Sequence, residues 1–273
     1  MVKWKKWVLL CLGSVLLCTA FPKVALAEAK PMTLLLLGID TGELGRTEHG
    51  RSDVMMVAVV NPTTQKLTLV SLPRDTYTEM VGMGTQDKLN HAYAFGGLEM
   101  AKESVAHLLG TTIDHTLAVD MKGIENLVEL VNGIEVISPE TFEIEGYKFT
   151  KDQAVQLDGK AALHYVRERY NSGGDYARQE RQRQVMLALI TKLQQTEQLN
   201  PVAALTLLQQ VKSDIALPQL FTMYQDYAKV AYTTTIDQLS GSGTMMDGVY
   251  YDITDPNSLG KIQTLIANTL ENL

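Results

Sequence analysis

The sequence predicts an α/β domain, with α+β as the neighbouring class, built on one central mixed β-sheet flanked by helices. Three observations carry that expectation. Apolar runs of strand length, such as Leu34 to Leu37 and Val54 to Val60, recur between loops marked by Gly and Pro. Segments with helical spacing alternate with them, which is the pattern of a sheet covered by helices. The chain has 273 residues, 45% of them hydrophobic, enough to bury the core of a single domain.

Taken in order, the chain starts with Lys3, Lys5 and Lys6, a mostly apolar run from Trp7 to Phe21, then Pro22 and the small residues Ala25 and Ala27. Residues 1–27 read as an export segment. It is either a cleavable signal peptide or a retained membrane anchor extended by Val24 to Ala27. Both readings place the bulk of the chain outside the cytoplasm, at the outer face of the cell membrane or in the cell wall. Cys11 and Cys18 both fall in the apolar run, so the exported part has no disulfide, thiol nucleophile or thiolate metal site. The net charge of -7 and pI near 5.3 argue against a general nucleic-acid binder, which needs a broad basic face.

Pro31 to Leu37 reads as a strand buried on both faces and ended by Gly38, which leaves Asp40 just past its C-terminal edge. Ligands of open α/β sheets bind at that edge. A Gly-rich polar loop, Thr41 to Ser52, leads to Asp53, which opens the apolar run Val54 to Val60. Asn61-Pro62 makes a turn, and Lys66 to Leu72 alternates as a third strand before Pro73-Arg74-Asp75. An antiparallel second strand gathers Asp40, Arg51, Asp53, Arg74 and Asp75 at one sheet edge. Any one of these aspartates reads as a turn or cap; the set reads as a site.

Lys88 to Gly97 starts helical and stops at the pair Gly96-Gly97, and a second helix runs to Leu109 before Gly110. His115 to Asp120 reads as a strand and Met121 to Val131 as a helix stopped by Asn132-Gly133. A short helix is expected from about Asp158 to Tyr165. Asp175 follows a Gly pair and can cap a long helix whose stripe runs through Arg178, Arg181, Gln182, Val185, Met186, Leu189, Ile190 and Leu193. Helices near Pro201 to Val211 and Pro218 to Ala231, a strand near Val249 to Ile253 and a last helix from Ser258 complete the chain.

Arginine is concentrated. Of eight, five lie between Arg167 and Arg183: Arg167, Arg169, Arg178, Arg181 and Arg183. The planar guanidinium fork suits bidentate contact with phosphate or carboxylate. A helix N-terminus favours an anion as well. The inward stripe of the Arg178 helix begins with Arg, Arg and Gln before it turns aliphatic, so the face that enters the core first looks into something polar. Carboxylates opposite arginines fit a divalent metal and a phosphate group sharing one pocket. Mg²⁺ is the expected ion, with Mn²⁺ as its substitute, because Mg²⁺ takes one or two carboxylates and completes its shell with phosphate oxygens and water. Zinc fits poorly, since His49, His91, His107, His115 and His164 include no close pair of ligand spacing.

With these residues in hand, the chain resembles the LytR-CpsA-Psr (LCP) family of cell-wall phosphotransferases. The matching segments are L-L-L-G-I-D, R-S-D-V-M-M-V, S-L-P-R-D-T, K-L-N-H-A-Y-A-F-G-G, V-N-G-I-E-V, L-D-G-K-A-A-L-H-Y-V-R-E-R-Y and G-G-D-Y-A-R-Q-E-R-Q-R-Q, spanning Leu35 to Gln184. The resemblance implies one LCP-type catalytic domain over residues 31–273, with a motif core at about 34–193 and a C-terminal extension over 194–273. It implies transfer of a glycopolymer, such as a teichoic acid or capsule, from a polyprenyl diphosphate lipid to peptidoglycan at the membrane surface. Arg51, Arg74, Lys88, Arg167, Arg169, Arg178 and Gln182 fall on positions expected around the diphosphate, and Asp40 and Asp53 on those expected to hold Mg²⁺. Arg74 and Asp75 are the expected catalytic residues, with Asp175 as a further acidic candidate. Asn132 stands before Gly133 where the family usually has a Gly pair. The lipid needs an apolar groove, for which Leu34 to Leu37, Val54 to Val60 and the aliphatic turns of the Arg178 helix are candidates beside their role as core. The competing functions are a non-catalytic binder of phosphorylated lipid or glycan and a DNA-binding regulator. Export, acidic pI and the lack of a recognisable helix-turn-helix oppose the regulator.

Overall fold

The strand that carries the four leucines lies inside the sheet, with Leu35 and Leu37 buried on one face and Leu34 and Leu36 partly buried on the other. The computed structural model describes residues 29–41, 50–168, 174–195, 201–227, 230 and 232–271. Strand β1 (Met32–Ile39) pairs antiparallel with β2 (Ser52–Asn61), and β2 with β3 (Lys66–Leu72). The β2–β3 turn is held by Asn61, whose Oδ1 accepts from the N–H groups of Thr63 (3.0 Å) and Thr64 (3.1 Å). A hairpin of β4 (Tyr77–Met80) and β5 (Thr85–Lys88) follows, then helix α1 (His91–Leu109).

Helix α1 is interrupted where the sequence expects a stop, at Gly96 and Gly97; Gly97 has φ 65°. Its start differs from expectation. Lys88 ends β5 instead of opening the helix, because it pairs with Tyr77 across the hairpin.

Strand β6 (His115–Asp120) runs parallel to β1, and Asp120 caps α2 (Met121–Leu130) by accepting from the Gly123 N–H at 2.8 Å. The expected stop follows, with Asn132 at φ 59° and Gly133 at φ 86°. Asparagine is among the few residues that tolerate that conformation, so it serves in place of a first glycine. Four short strands, β7 (Ile134–Ile137), β8 (Phe142–Ile144), β9 (Tyr147–Phe149) and β10 (Ala154–Leu157), lead to α3 (Gly159–Arg167), capped by Asp158 through the Ala161 N–H at 2.7 Å. Then come α4 (Gly174–Gln195), α5 (Pro201–Leu208), β11 (Lys212–Ser213), α6 (Leu217–Tyr227), β12 (Thr233–Gln238), β13 (Gly241–Met246), β14 (Val249–Thr254) and α7 (Pro256–Leu270). The last helix begins two residues before the expected Ser258, with Asp255 as its cap and Pro256 in its first turn.

The central sheet has the order β11-β6-β1-β2-β3-β12 and mixes parallel and antiparallel pairs, as the sequence leads one to expect. The C-terminal extension contributes both of its edge strands. All ten residues of β2 are buried, and they alternate between two cores. Val54, Met56, Ala58 and Val60 face the layer that contains α2 to α6, whereas Met55, Val57 and Val59 face α1 and α7. Among the described residues no helix is long and apolar enough to cross a membrane, and residues 1–27, which the sequence leads one to expect as an export segment, lie outside them.

Candidate active site

The register of the first hairpin builds the site. Gly38 pairs with Val54 and Ile39 with Ser52, so Asp53 is the extra residue of a β-bulge. A bulge re-aims a side chain where a strand ends, and this one sets the Asp53 carboxylate at the sheet edge. Gly38 permits the close pairing, since a Cβ there would lie 3.1 Å from the Cβ of Val54. Asp40 follows β1 directly. Its N–H donates to the Arg51 carbonyl at 3.1 Å and its Oδ1 accepts from the Arg51 N–H at 2.8 Å, so the pair closes the hairpin next to Asp53.

Arg74, just past β3, ties the cluster together. Its Nη1 lies 2.7 Å from Oδ1 of Asp53 and its Nε 3.6 Å from Oδ2 of Asp75. Lys88 Nζ reaches Oδ1 of Asp75 at 2.9 Å. From the first turns of α4, Arg178 Nη2 lies 3.6 Å from Oδ2 of Asp53. The antiparallel hairpin thus brings Asp40, Arg51, Asp53, Arg74 and Asp75 to one edge, as the sequence implies, and adds Lys88 and Arg178. Arg51 is exposed. Burial pushes the Asp53 carboxyl above the usual carboxylate range; Arg74 pulls it back, Asp40 pushes it further up and Arg178 lowers it.

The remaining candidates divide. Arg167 lies half-buried in the last turn of α3. Arg169 lies outside the described residues, and so does the side chain of Asp175. Gln182 is almost wholly buried; its Nε2 donates to the Val166 carbonyl at 3.5 Å, while its Oε1 meets no donor among the described residues. Arg181, on the same inward stripe, faces protein. It is 0% exposed, donates from Nε to the Tyr165 carbonyl at 2.8 Å and from Nη2 to the Glu168 carbonyl, and lies over the Phe142 ring at 4.8 Å. The polar surroundings expected for that stripe are here the carbonyl end of α3. Arg181 fastens α3 to α4, and with them the segment that carries Arg167 and the turn that carries Arg178.

Two cavities flank this cluster. The more polar one, of about 200 Å³, is lined by Asp53, Arg74, Glu180, Arg183, Gly241 and Asp252 together with apolar residues such as Val54 and Leu72. Sequence spacing did not identify its far wall. Asp252 comes from the β13–β14 hairpin, which is attached by a hydrogen bond from the Asp252 N–H to the Asp75 carbonyl at 2.9 Å and by Tyr77 packing edge-on against Tyr251 at 5.0 Å. Arg183, off the inward stripe, forms a two-pronged pair with Glu180 at 2.8 and 2.5 Å on the cavity wall.

The second cavity, about 280 Å³, is apolar and lies between the sheet and α4 to α6. Of the residues expected to line a groove, Leu34, Leu36, Ala58, Val60, Ile190 and Leu193 do so. Leu35 and Leu37 point to the opposite face and are core. Met223, Tyr224 and Tyr227 of α6 complete the wall.

Whether this edge suits a divalent ion can be judged from the donors. Asp40 and Asp53 are neighbouring carboxylates, and among the described residues no group of three or more His, Cys, Asp or Glu forms an all-protein cage. Two carboxylates plus oxygens from a bound phosphate and water form a shell that Mg²⁺ accepts. The residues fit.

Comparison with known proteins places the chain in a family. The model of the LytR_cpsA_psr family matches residues 19–268. The polyisoprenyl-teichoic acid–peptidoglycan teichoic acid transferase TagU of Enterococcus faecalis is 43% identical over 251 residues, 91% of this chain and 82% of that protein. A crystal structure from Enterococcus faecalis, described as a transcriptional regulator, superposes with a TM-score of 0.72 at 37% identity, covering 88% of each chain. That of Bacillus subtilis TagU gives a TM-score of 0.65 at 32% identity, covering 90% of this chain and 99% of that one. On the family match over residues 19–268 and this breadth of similarity, the chain belongs to the LytR_cpsA_psr family.

Proposed function

We propose that the chain is a transferase that moves a glycopolymer from a polyprenyl diphosphate carrier onto peptidoglycan outside the cell membrane. One observation supports this above the rest. Helix α4 carries Arg178 beside Asp53 in its first turns and Ile190 and Leu193 in the apolar cavity. Twelve residues separate Arg178 from Ile190, about 18 Å along a helix axis. A ligand with an anionic head and a long apolar tail matches that division.

In this reading Arg74, Arg178, Arg51, Arg167, Arg169 and Lys88 neutralise the diphosphate, and Gln182 contributes from the buried side of α4. Phosphoryl-group transfer depends on positioning and charge neutralisation more than on covalent catalysis, which is what an arginine cluster supplies. Asp40 and Asp53 would hold Mg²⁺, which when bound polarises phosphate oxygens. Arg74 and Asp75 act at the reacting phosphate: Asp75, held by Lys88, keeps the Arg74 guanidinium oriented across the cluster. The acceptor hydroxyl oxygen forms a bond to phosphorus, the bond to polyprenyl phosphate breaks, and the hydroxyl proton leaves to a base.

The regulator reading, carried by the description of one structural relative, is opposed by a net charge of -7. The non-catalytic binder differs from the enzyme only in turnover. Incubation of the protein with a labelled lipid-linked donor, peptidoglycan and Mg²⁺ separates them: label made covalent to peptidoglycan supports the transferase. Tight donor binding with no product over many hours overturns it in favour of the binder.

A further inference from the structure

The transferase reading needs a group that takes the proton of the acceptor hydroxyl, and the polar cavity contains three carboxylates that could do so: Asp53, Glu180 and Asp252. Two are already engaged. Asp53 has Arg74 at one oxygen and Arg178 near the other. Glu180 has both oxygens on Arg183. Outside the cavity lining, Asp75 likewise has Lys88 at one oxygen and Arg74 near the other. Oδ1 of Asp252, in contrast, is buried and meets no donor among the described residues. A buried oxygen without a partner costs stability, and in a native site it calls for a functional account.

The local structure maintains this state. The Asp252 backbone is bound to the Asp75 carbonyl at 2.9 Å, which fixes the hairpin against the loop that carries Arg74. Gly241, which pairs with Thr254 two residues along the hairpin from the Gly243–Asp252 pair, leaves the space that Oδ1 occupies, since a Cβ there would lie 2.4 Å from it. Any side chain at 241 would displace either the carboxylate or the strand.

We propose that Asp252 is the general base of the transfer and that the polar cavity beside Arg74 is the subsite for the acceptor sugar hydroxyl. The hydroxyl donates to the Asp252 carboxylate, its oxygen forms the new bond to phosphorus, polyprenyl phosphate departs with the electrons of the broken P–O bond, and the proton stays on Asp252 until solvent removes it. The chemistry of the cavity fits a carbohydrate. Its lining combines charged residues with Gln238 and Ser240 and with apolar Val54, Leu72 and Leu239, and a sugar presents both hydroxyls and C–H faces. Burial, and after it the charge of Asp75, pushes the Asp252 carboxyl above its usual value, which brings a carboxylate base closer to working pH. The other charged groups around it are Arg74, Arg183, Glu180 and Asp53 in the cavity, and Lys88 over the neighbouring Tyr251 ring.

This inference rests on the transferase reading, and one set of experiments tests them separately. The full chain and its Asp252→Asn variant are compared for donor binding, for transfer of labelled polymer to peptidoglycan, and for the pH dependence of kcat. Asn has the same shape, and the Oδ1 that it alters makes no hydrogen bond to lose, so the variant should fold. The expected result is a fall in kcat of about a hundredfold or more, the range for loss of a general base, with donor affinity unchanged and the acidic limb of the pH profile lost. If the wild-type protein transfers nothing, the transferase reading fails. If it transfers and Asp252→Asn does so at a similar rate, or loses donor binding in proportion to rate, only the assignment of Asp252 is overturned. Should Asp252→Asn unfold, Asp252→Ser is compared in its place: a wild-type kcat in that folded variant overturns the assignment, and a kcat lowered about a hundredfold with donor affinity unchanged supports it.

Discussion

Arg178 and Arg181 sit one turn apart on the same face of α4, yet the structure gives them opposite roles, and substitution of each should separate stability from ligand binding. Arg181→Met keeps an unbranched side chain in the buried slot but removes its donors. The carbonyls of Tyr165 and Glu168 then lose the donors that Arg181 supplies in a site where the side chain is 0% exposed. An unsatisfied buried group costs about 1–3 kcal/mol, so two cost roughly 2–6 kcal/mol. Loss of the contact with the Phe142 ring at 4.8 Å removes on the order of another 0.5–2 kcal/mol. For a domain of this size each kcal/mol lowers Tm by about 2–4 °C, so a loss of 3 kcal/mol corresponds to roughly 6–12 °C. Arg178→Met removes one arm of the Asp53 cluster at 3.6 Å from a side chain that is 20% exposed, and Asp53 keeps Arg74. Its Tm should therefore fall by less than that of Arg181→Met, since Asp53 keeps its shorter contact with Arg74. Scanning calorimetry or circular dichroism on the two variants measures this directly. A wild-type Tm for Arg181→Met, or an equal fall for both, would refute the division of the stripe.

Further outcomes follow from the same geometry. Asp40→Asn and Asp53→Asn should each abolish the dependence of transfer on Mg²⁺ and most of the activity, as read by titrating the metal; unchanged activity and metal response would remove the metal assignment. Arg178→Lys keeps the charge but not the fork, and should weaken donor binding by roughly ten- to a hundredfold, equivalent to about 1.5–3 kcal/mol; calorimetric titration with a wild-type result would contradict a diphosphate contact. Leu36→Phe intrudes into the apolar cavity and should raise the KM for a long polyprenyl donor by about tenfold while sparing a short-chain one, since each lost buried methylene is worth about 0.8 kcal/mol. Equal effects on both donors would show that the cavity is only core. Asn132→Gly should be neutral or slightly stabilising, and Asn132→Val should cost on the order of 1–2 kcal/mol, because the residue sits at φ 59°; denaturant unfolding of the two variants reads the difference.

Much of the site was legible because its parts lie at the ends of three apolar runs. Gly38, Asn61-Pro62 and Pro73 punctuate β1, β2 and β3, so Asp40, Asp53, Arg74 and Asp75 could be assigned to one edge from pairing direction alone. The bulge that aims Asp53 was not legible, since it depends on a register slip between Gly38 and Ile39. Nor was the place of Asp252: its strand is expected near Val249 to Ile253, but the partner strand G-S-G-T-M-M lacks the alternation that marks a half-buried strand, so the hairpin and its docking beside Asp75 were not foreseen. Helical spacing placed Arg178, Arg181 and Gln182 on one face correctly. Spacing alone does not reveal what that face meets, and the end of α3 meets Arg181. The apolar cavity was half visible, in Leu34, Leu36, Ile190 and Leu193. Its other wall, α6, is packed there by tertiary contacts with no local signature near β1.

The proposed donor is one amphiphile that spans the arginine cluster and the apolar cavity along α4. Photo-crosslinking tests it most directly: a polyprenyl diphosphate bearing a diazirine within its isoprenoid chain is bound to the full-length protein, irradiated, and the adducts are mapped by mass spectrometry. The predicted result is adducts at cavity residues such as Leu36, Leu193 and Tyr224, reduced by competing unlabelled diphosphate lipid and by Arg74→Ala. Adducts confined to other surfaces, or labelling of the cavity that neither the competitor nor Arg74→Ala reduces, would contradict it.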